Sequence, residues 1–196
     1  MSFYYLMAQL PVLIYDQKMP MSSEEFKALA LSVLDENDSN LFIHLSLDPD
    51  PCSKEEPAYK ETALATGCDF IDNWRVWERT FRLNLSKHRA HHLKREVSSI
   101  EPPVMPAEAA AAASRAVSGD NSPLESEILI DKARWNAISE FAGIEYFNVG
   151  SVFAYYLKLL LMERRASFNN EKGISEYKSL YASILGKAQQ SPGETK

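Results

Sequence analysis

The chain has 196 residues, 45% of them apolar and 24% charged, enough for one large or two small soluble domains with a real core. That composition excludes a disordered chain, a collagen-like repeat and a disulfide scaffold. The net charge of −6 argues against general nucleic-acid binding, which needs a basic surface. Only 7 glycines occur, and turn signals at strand-length intervals are missing from most of the chain, which favours helix over an all-β sandwich.

The opening stretch, residues 1–15, is apolar but has no basic leading segment, is broken by Pro11 and runs into Asp16 without a small-residue cleavage site. It is not read as a signal peptide. Ser22-Ser23-Glu24-Glu25 then opens a helix to about residue 34, with Ser22 capping and Glu25 reaching back. Phe26, Leu29, Ala30 and Val33 form its expected buried face. Residues 35–40 read as a polar break. Residues 41–47 suit a short helix capped by Asp38 or Ser39, with a strand as the alternative. Asp48-Pro49-Asp50-Pro51 ends that element, and Pro57 points to a structured loop up to Gly67.

Residues 69–96 contain neither Gly nor Pro and read as one helix of about 42 Å. Phe70, Trp74, Trp77, Phe81, Leu85, His88 and His92 recur at steps of three and four, the spacing of a buried stripe. The proline- and alanine-rich residues 98–123 read as a mobile connection containing a weakly docked helix, because alanine favours helix but buries little apolar area. A helix over 124–141 should bury Ile128, Leu129, Trp135 and Ile138. Gly143 breaks it, and Asn148 caps a helix to about residue 168 that is apolar nearly all round and therefore central. Residues 174–185 form a last amphipathic helix with Tyr177, Leu180, Tyr181 and Ile184, before a frayed tail.

The expected fold is all-α, a bundle of long antiparallel helices. Its halves cover residues 1–97 and 124–186, joined by 98–123 and followed by a flexible tail over 187–196; a single domain is the alternative. No stretch reads as membrane-spanning: the most apolar later run, residues 147–162, carries Lys158 and falls short of the roughly 20 residues a span needs. Two cysteines, Cys52 and Cys68, are too few for a secreted framework. A soluble cytoplasmic protein is expected.

Arg75, Arg79, Arg82 and Arg89 fall within about 80° of one helix face, away from the aromatic stripe. Seven Lys and Arg against the single acid Glu78 give residues 75–95 a charge of +6, leaving −12 on the rest. This face either pairs with the protein's own carboxylates or docks an acidic partner. Use of it by nucleic acid has no motif behind it.

His88, His91 and His92 form the one metal-like cluster. His88 and His92, a turn apart, could share a zinc ion, but further ligands are missing and Lys87, Arg89, Lys94 and Arg95 surround them. Trp74, Trp77 and Phe81 read as core rather than as a ligand pocket. No phosphate loop, nucleophile elbow or zinc-protease motif occurs. No catalytic residue, cofactor or metal is expected.

Three stretches carry a family resemblance: Phe3-Tyr4-Tyr5-Leu6-Met7-Ala8-Gln9-Leu10-Pro11; the basic helix that opens with Asn73-Trp74-Arg75 and closes at Arg95; and Glu145-Tyr146-Phe147-Asn148 with Ala154-Tyr155-Tyr156-Leu157-Lys158-Leu159-Leu160 and Glu163-Arg164-Arg165. Together they resemble a bacterial family encoded beside V/A-type ATPase subunits, itself similar to a shortened ATPase C subunit, called d in eukaryotes. The resemblance implies a non-catalytic helical socket between the central rotor stalk and the membrane ring, peripheral to the membrane through the complex. A full C subunit is longer and has three similar lobes, so this chain would supply part of one. A free-standing metal- or ligand-binding protein and a nucleic-acid-associated adaptor are the alternatives.

Overall fold

The computed structural model describes residues 2–47, 65–95, 104–119, 121–168 and 170–189. The expectations for Asp48 to Pro51, for Cys52 and for Pro57 lie outside those residues, as do residues 96 and 97, residues 98–103 and 120 of the connection, and residues 190–196 of the tail. Every regular element among the described residues is helical, so the protein is all-α. The chain forms two compact units, Met1–Glu163 and Arg164–Lys196.

In the first unit, α1 spans Ser2–Gln9 and α2 spans Ser23–Leu31. The α2 cap forms as the sequence indicates: the Glu25 N–H donates to Ser22 Oγ at 3.1 Å and the Ser22 N–H donates to Glu25 Oε2 at 2.9 Å. The pairing holds the Glu25 carboxyl below its ordinary pKa. Phe26 and Ala30 are buried, Val33 is half-buried, and Leu29 faces solvent. The expected polar break is itself a helix, α3 (Glu36–Asn40), because Asp35 accepts the Asp38 N–H at 2.8 Å and starts a turn. The ambiguous run that follows is a single 3-10 turn, Leu41–His44, which seats Phe42 in the core.

The long helix α4 runs Asp69–His92. Its aromatic stripe is buried from Phe70 through Leu85, but there the burial ends: His88 is half-buried and His92 is exposed. The stripe expected to include both histidines therefore stops about two turns early. Beyond it His92 lies beside Gly119, where an added Cβ would sit 3.3 Å from the imidazole.

Helix α5 (Ala107–Val117) packs on both α4 and α6 (Pro123–Ala142). Ala109, Ala112, Ala113 and Ala116 are all buried, which corrects the expectation of weak docking. Small side chains add little area each, but they let helix backbones approach closely and so fill space without voids. Helix α6 starts on a second capping box, Ser122 with Glu125, and Pro123 occupies its first turn. Its buried face differs from the expected one. Ile130, Asp131, Arg134, Ala137 and Ile138 are buried, whereas Ile128, Leu129 and Trp135 are half-buried. Two charged residues, Asp131 and Arg134, have taken core positions because they find partners there.

Gly143 ends α6 with φ +65° and ψ −154°, a region open almost only to glycine that costs a side-chain-bearing residue on the order of 1–3 kcal/mol. Asn148 Oδ1 then accepts the Ser151 N–H at 2.8 Å and starts α7 (Val149–Ala166). Val152, Phe153, Leu157, Leu159 and Leu161 are buried, on several faces of the helix, and α7 forms the centre of the core. The second unit contains α8, Asn170–Gln189.

Candidate docking surface

A buried ionic cluster joins α4 to α6. Arg134 donates from Nη2 to Glu78 Oε1 at 2.7 Å and from Nε to Oε2 at 3.1 Å, while its Nη1 reaches Asp131 Oδ1 at 3.2 Å. Burial works against this guanidinium's charge, but the hydrogen bonds and charges of Glu78 and Asp131 outweigh it and raise the pKa. Arg82 Nε adds a bond to Glu78 Oε1 at 2.7 Å, and its Nη2 donates to the Leu47 carbonyl. One acid thus carries two arginines and ties two helices and the segment after the 3-10 turn together.

The four arginines expected on one docking face consequently differ. Arg82 is committed to Glu78 and Leu47 of its own chain. Arg75 and Arg79 are half-buried, and Arg89 is exposed. Among the described residues, no group of three or more His, Cys, Asp or Glu side chains is placed to hold a metal ion. No helix among them is long and apolar enough to cross a membrane.

An open cleft of about 690 Å³ lies between the starts of α4 and α7, lined by Asp38, Thr66, Cys68, Asp69, Phe141 and Asn148 among others. Much of its polarity serves the helix starts. Asp72 accepts the Thr66 N–H and hydroxyl, each at 2.9 Å, and Asn148 caps α7. Burial, with the charge of Asp35 second, raises the Asp38 carboxyl pKa. The described lining offers no nucleophile held by a base.

The surface feature that draws on distant sequence is aromatic. The Tyr4 ring on α1 lies 4.4 Å from the Phe147 ring in the turn before α7. Tyr4, Tyr5, Ile144, Tyr146 and Phe147 are all between 48% and 90% exposed. The segment behind them is anchored: Tyr155 donates its hydroxyl to the Pro11 carbonyl at 3.0 Å, and Tyr15 donates to the Ile128 carbonyl at 3.1 Å. Tyr15 also meets Trp135 edge-on at 5.4 Å, and Lys158 lies 5.1 Å above the same indole, its pKa lowered by burial. The α1 aromatics are thus presented from a strapped segment rather than from a loose end. Spacing within the sequence gave no sign of this patch, because its two halves are 143 residues apart.

A family model described as a protein of unknown function (DUF2764) matches residues 115–186, which include α6, α7 and most of α8. No curated protein and no solved structure matches the chain.

Proposed function

We propose that this chain is a non-catalytic coupling subunit of a bacterial V/A-type ATPase, docking between the central stalk and the membrane ring through the aromatic patch around Tyr4 and Phe147. The observation that supports the reading is the surface contact of Tyr4 with Phe147, which belong to two of the three resemblance-bearing stretches, residues 3–11 and 145–148. Aromatic residues left out of the core contribute little to folding, yet large aromatic side chains dominate binding energy at interfaces. The all-helical fold suits a C-subunit-like socket built as a helix bundle. The basic face of α4, through Arg75, Arg79 and Arg89, would assist encounter with an acidic partner more than it would add affinity.

Purification of the detergent-solubilised ATPase from its native membrane at low salt tests this. The chain should co-purify with stalk and ring and hydrolyse no ATP alone. Replacing Tyr5 and Tyr146 by Asp should release it while its helicity stays intact. Intact complex with every other subunit and none of this chain would remove the proposal.

A further inference from the structure

The second unit carries an apolar face with a regular design. Ile174, Tyr177, Leu180, Tyr181 and Ile184 lie within about 120° of arc on α8, and each is 55–67% exposed. Every other side chain described between residues 174 and 184 is exposed as well. This helix includes Gly173 and Gly186, each costing about 1 kcal/mol of helix stability relative to alanine. In water, a helix of this length with two interior glycines is held chiefly by packing of its apolar face. The stripe therefore calls for a cover.

Its spacing indicates which cover. Ile174, Tyr177, Tyr181 and Ile184 follow steps of three, four and three, the seam of a two-stranded coiled coil over about two heptads. The seam reads Ile-Tyr-Tyr-Ile in both directions. A second α8 laid along it, in either orientation, sets isoleucine against isoleucine and tyrosine against tyrosine. That self-complementarity is what a two-fold interface requires. The tyrosines also stack within one chain, with ring centroids 6.2 Å apart, so they present one aromatic surface at the centre of the seam. With a tyrosine side chain offering about 150–250 Å², the stripe supplies on the order of 600 Å² per chain. A pair would bury about 1,200 Å², the lower end of the range for specific interfaces. The opposite side carries Ser175, Ser179, Ala182 and Ser183, with Glu176 and Lys178 flanking the stripe, a small and polar surface that suits the outer face of such a pair.

We infer that α8 is a self-association element through which two copies of this chain pair along Ile174, Tyr177, Leu180, Tyr181 and Ile184. The inference is independent of the coupling role, which rests on a different surface of the first unit.

Sedimentation equilibrium of the full chain across about 1–100 µM should show a monomer–dimer equilibrium with a Kd in that range. Tyr177→Glu with Tyr181→Glu should raise the Kd by about 100-fold or more, while Ser179→Glu on the polar side leaves it unchanged. Should the charged pair lose helicity by circular dichroism, Tyr177→Ala with Tyr181→Ala gives the same reading in the best helix-forming residue. A wild-type chain that stays monomeric over the whole range, covered by its own first unit or by a foreign partner, would overturn the inference. So would a dimer that survives both tyrosine double variants.

Discussion

Helices α7 and α8 have comparable lengths, 18 and 20 residues, and both carry aromatic and aliphatic side chains, yet they meet opposite fates. In α7 the apolar residues run nearly all round, and Phe153, Leu157, Leu159 and Leu161 are 0–1% exposed. In α8 they are confined to one stripe, and that stripe is bare. A helix apolar on every side has one place to go, the centre of its own core. A helix apolar on one side demands a cover without naming it. The self-complementary seam of α8 supplies the missing identity, and its pattern, not its amount of apolar surface, carries that information.

The largest expected effect breaks this comparison most directly. Phe153 meets Phe42 edge-on at 5.3 Å in full burial, so Phe153→Ala should cost about 3–5 kcal/mol. Leu180→Ala, measured in dilute monomer, should cost within about 0.5 kcal/mol. Urea unfolding monitored by circular dichroism gives both numbers. Equal costs would mean that α8 is part of a core after all.

The contrast sharpens when charges replace apolar groups. Glu78 is buried between Arg82 and Arg134, and Glu78→Gln should cost about 3 kcal/mol, because Arg82 loses its counter-charge and Arg134, held out of water, keeps only Asp131. Glu176 on α8 is exposed, and the same substitution there should leave the unfolding midpoint nearly unchanged. A stability loss at Glu176 matching that at Glu78 would contradict the assignment of the two environments.

A smaller effect concerns pH. The Tyr155 phenol donates to the Pro11 carbonyl, and burial pushes its pKa from 10.0 up to about 12. A raised folded-state pKa means that the neutral phenol stabilises the fold fully below pH 10, and that this contribution disappears as pH rises to about 12. Tyr155→Phe should cost about 1 kcal/mol near neutrality through the lost hydrogen bond. Its thermal midpoint should then fall less steeply than wild type across that alkaline window. Parallel curves for the two proteins would show that Tyr155 contributes nothing to the alkaline loss.

Much of the helical order was readable locally. The Ser22 and Glu25 box, the Gly143 stop and the Asn148 cap act over a few residues, and the periodicity of α4 and α7 marks their buried sides. Alanines at 109, 112, 113 and 116 were legible as helix but not as packing, since close approach depends on what lies opposite. The candidate docking patch was not legible at all as a site. Its residues were visible as aromatic clusters, but nothing in their spacing placed Tyr4 against Phe147.

The reason lies in the range of the forces. Capping hydrogen bonds and the 3.6-residue repeat are set by backbone geometry within one or two turns, so composition and spacing determine them before any tertiary contact forms. Whether a charge is solvated or buried depends on a partner that the fold alone brings near. Glu78 looked like the odd acid in a basic helix until Arg134, 56 residues later, arrived to hydrogen-bond it. Burying either residue unpaired would cost several kcal/mol, so the pairing decided which face of α6 turned inward. It also turned Arg82 from a surface charge into part of the framework.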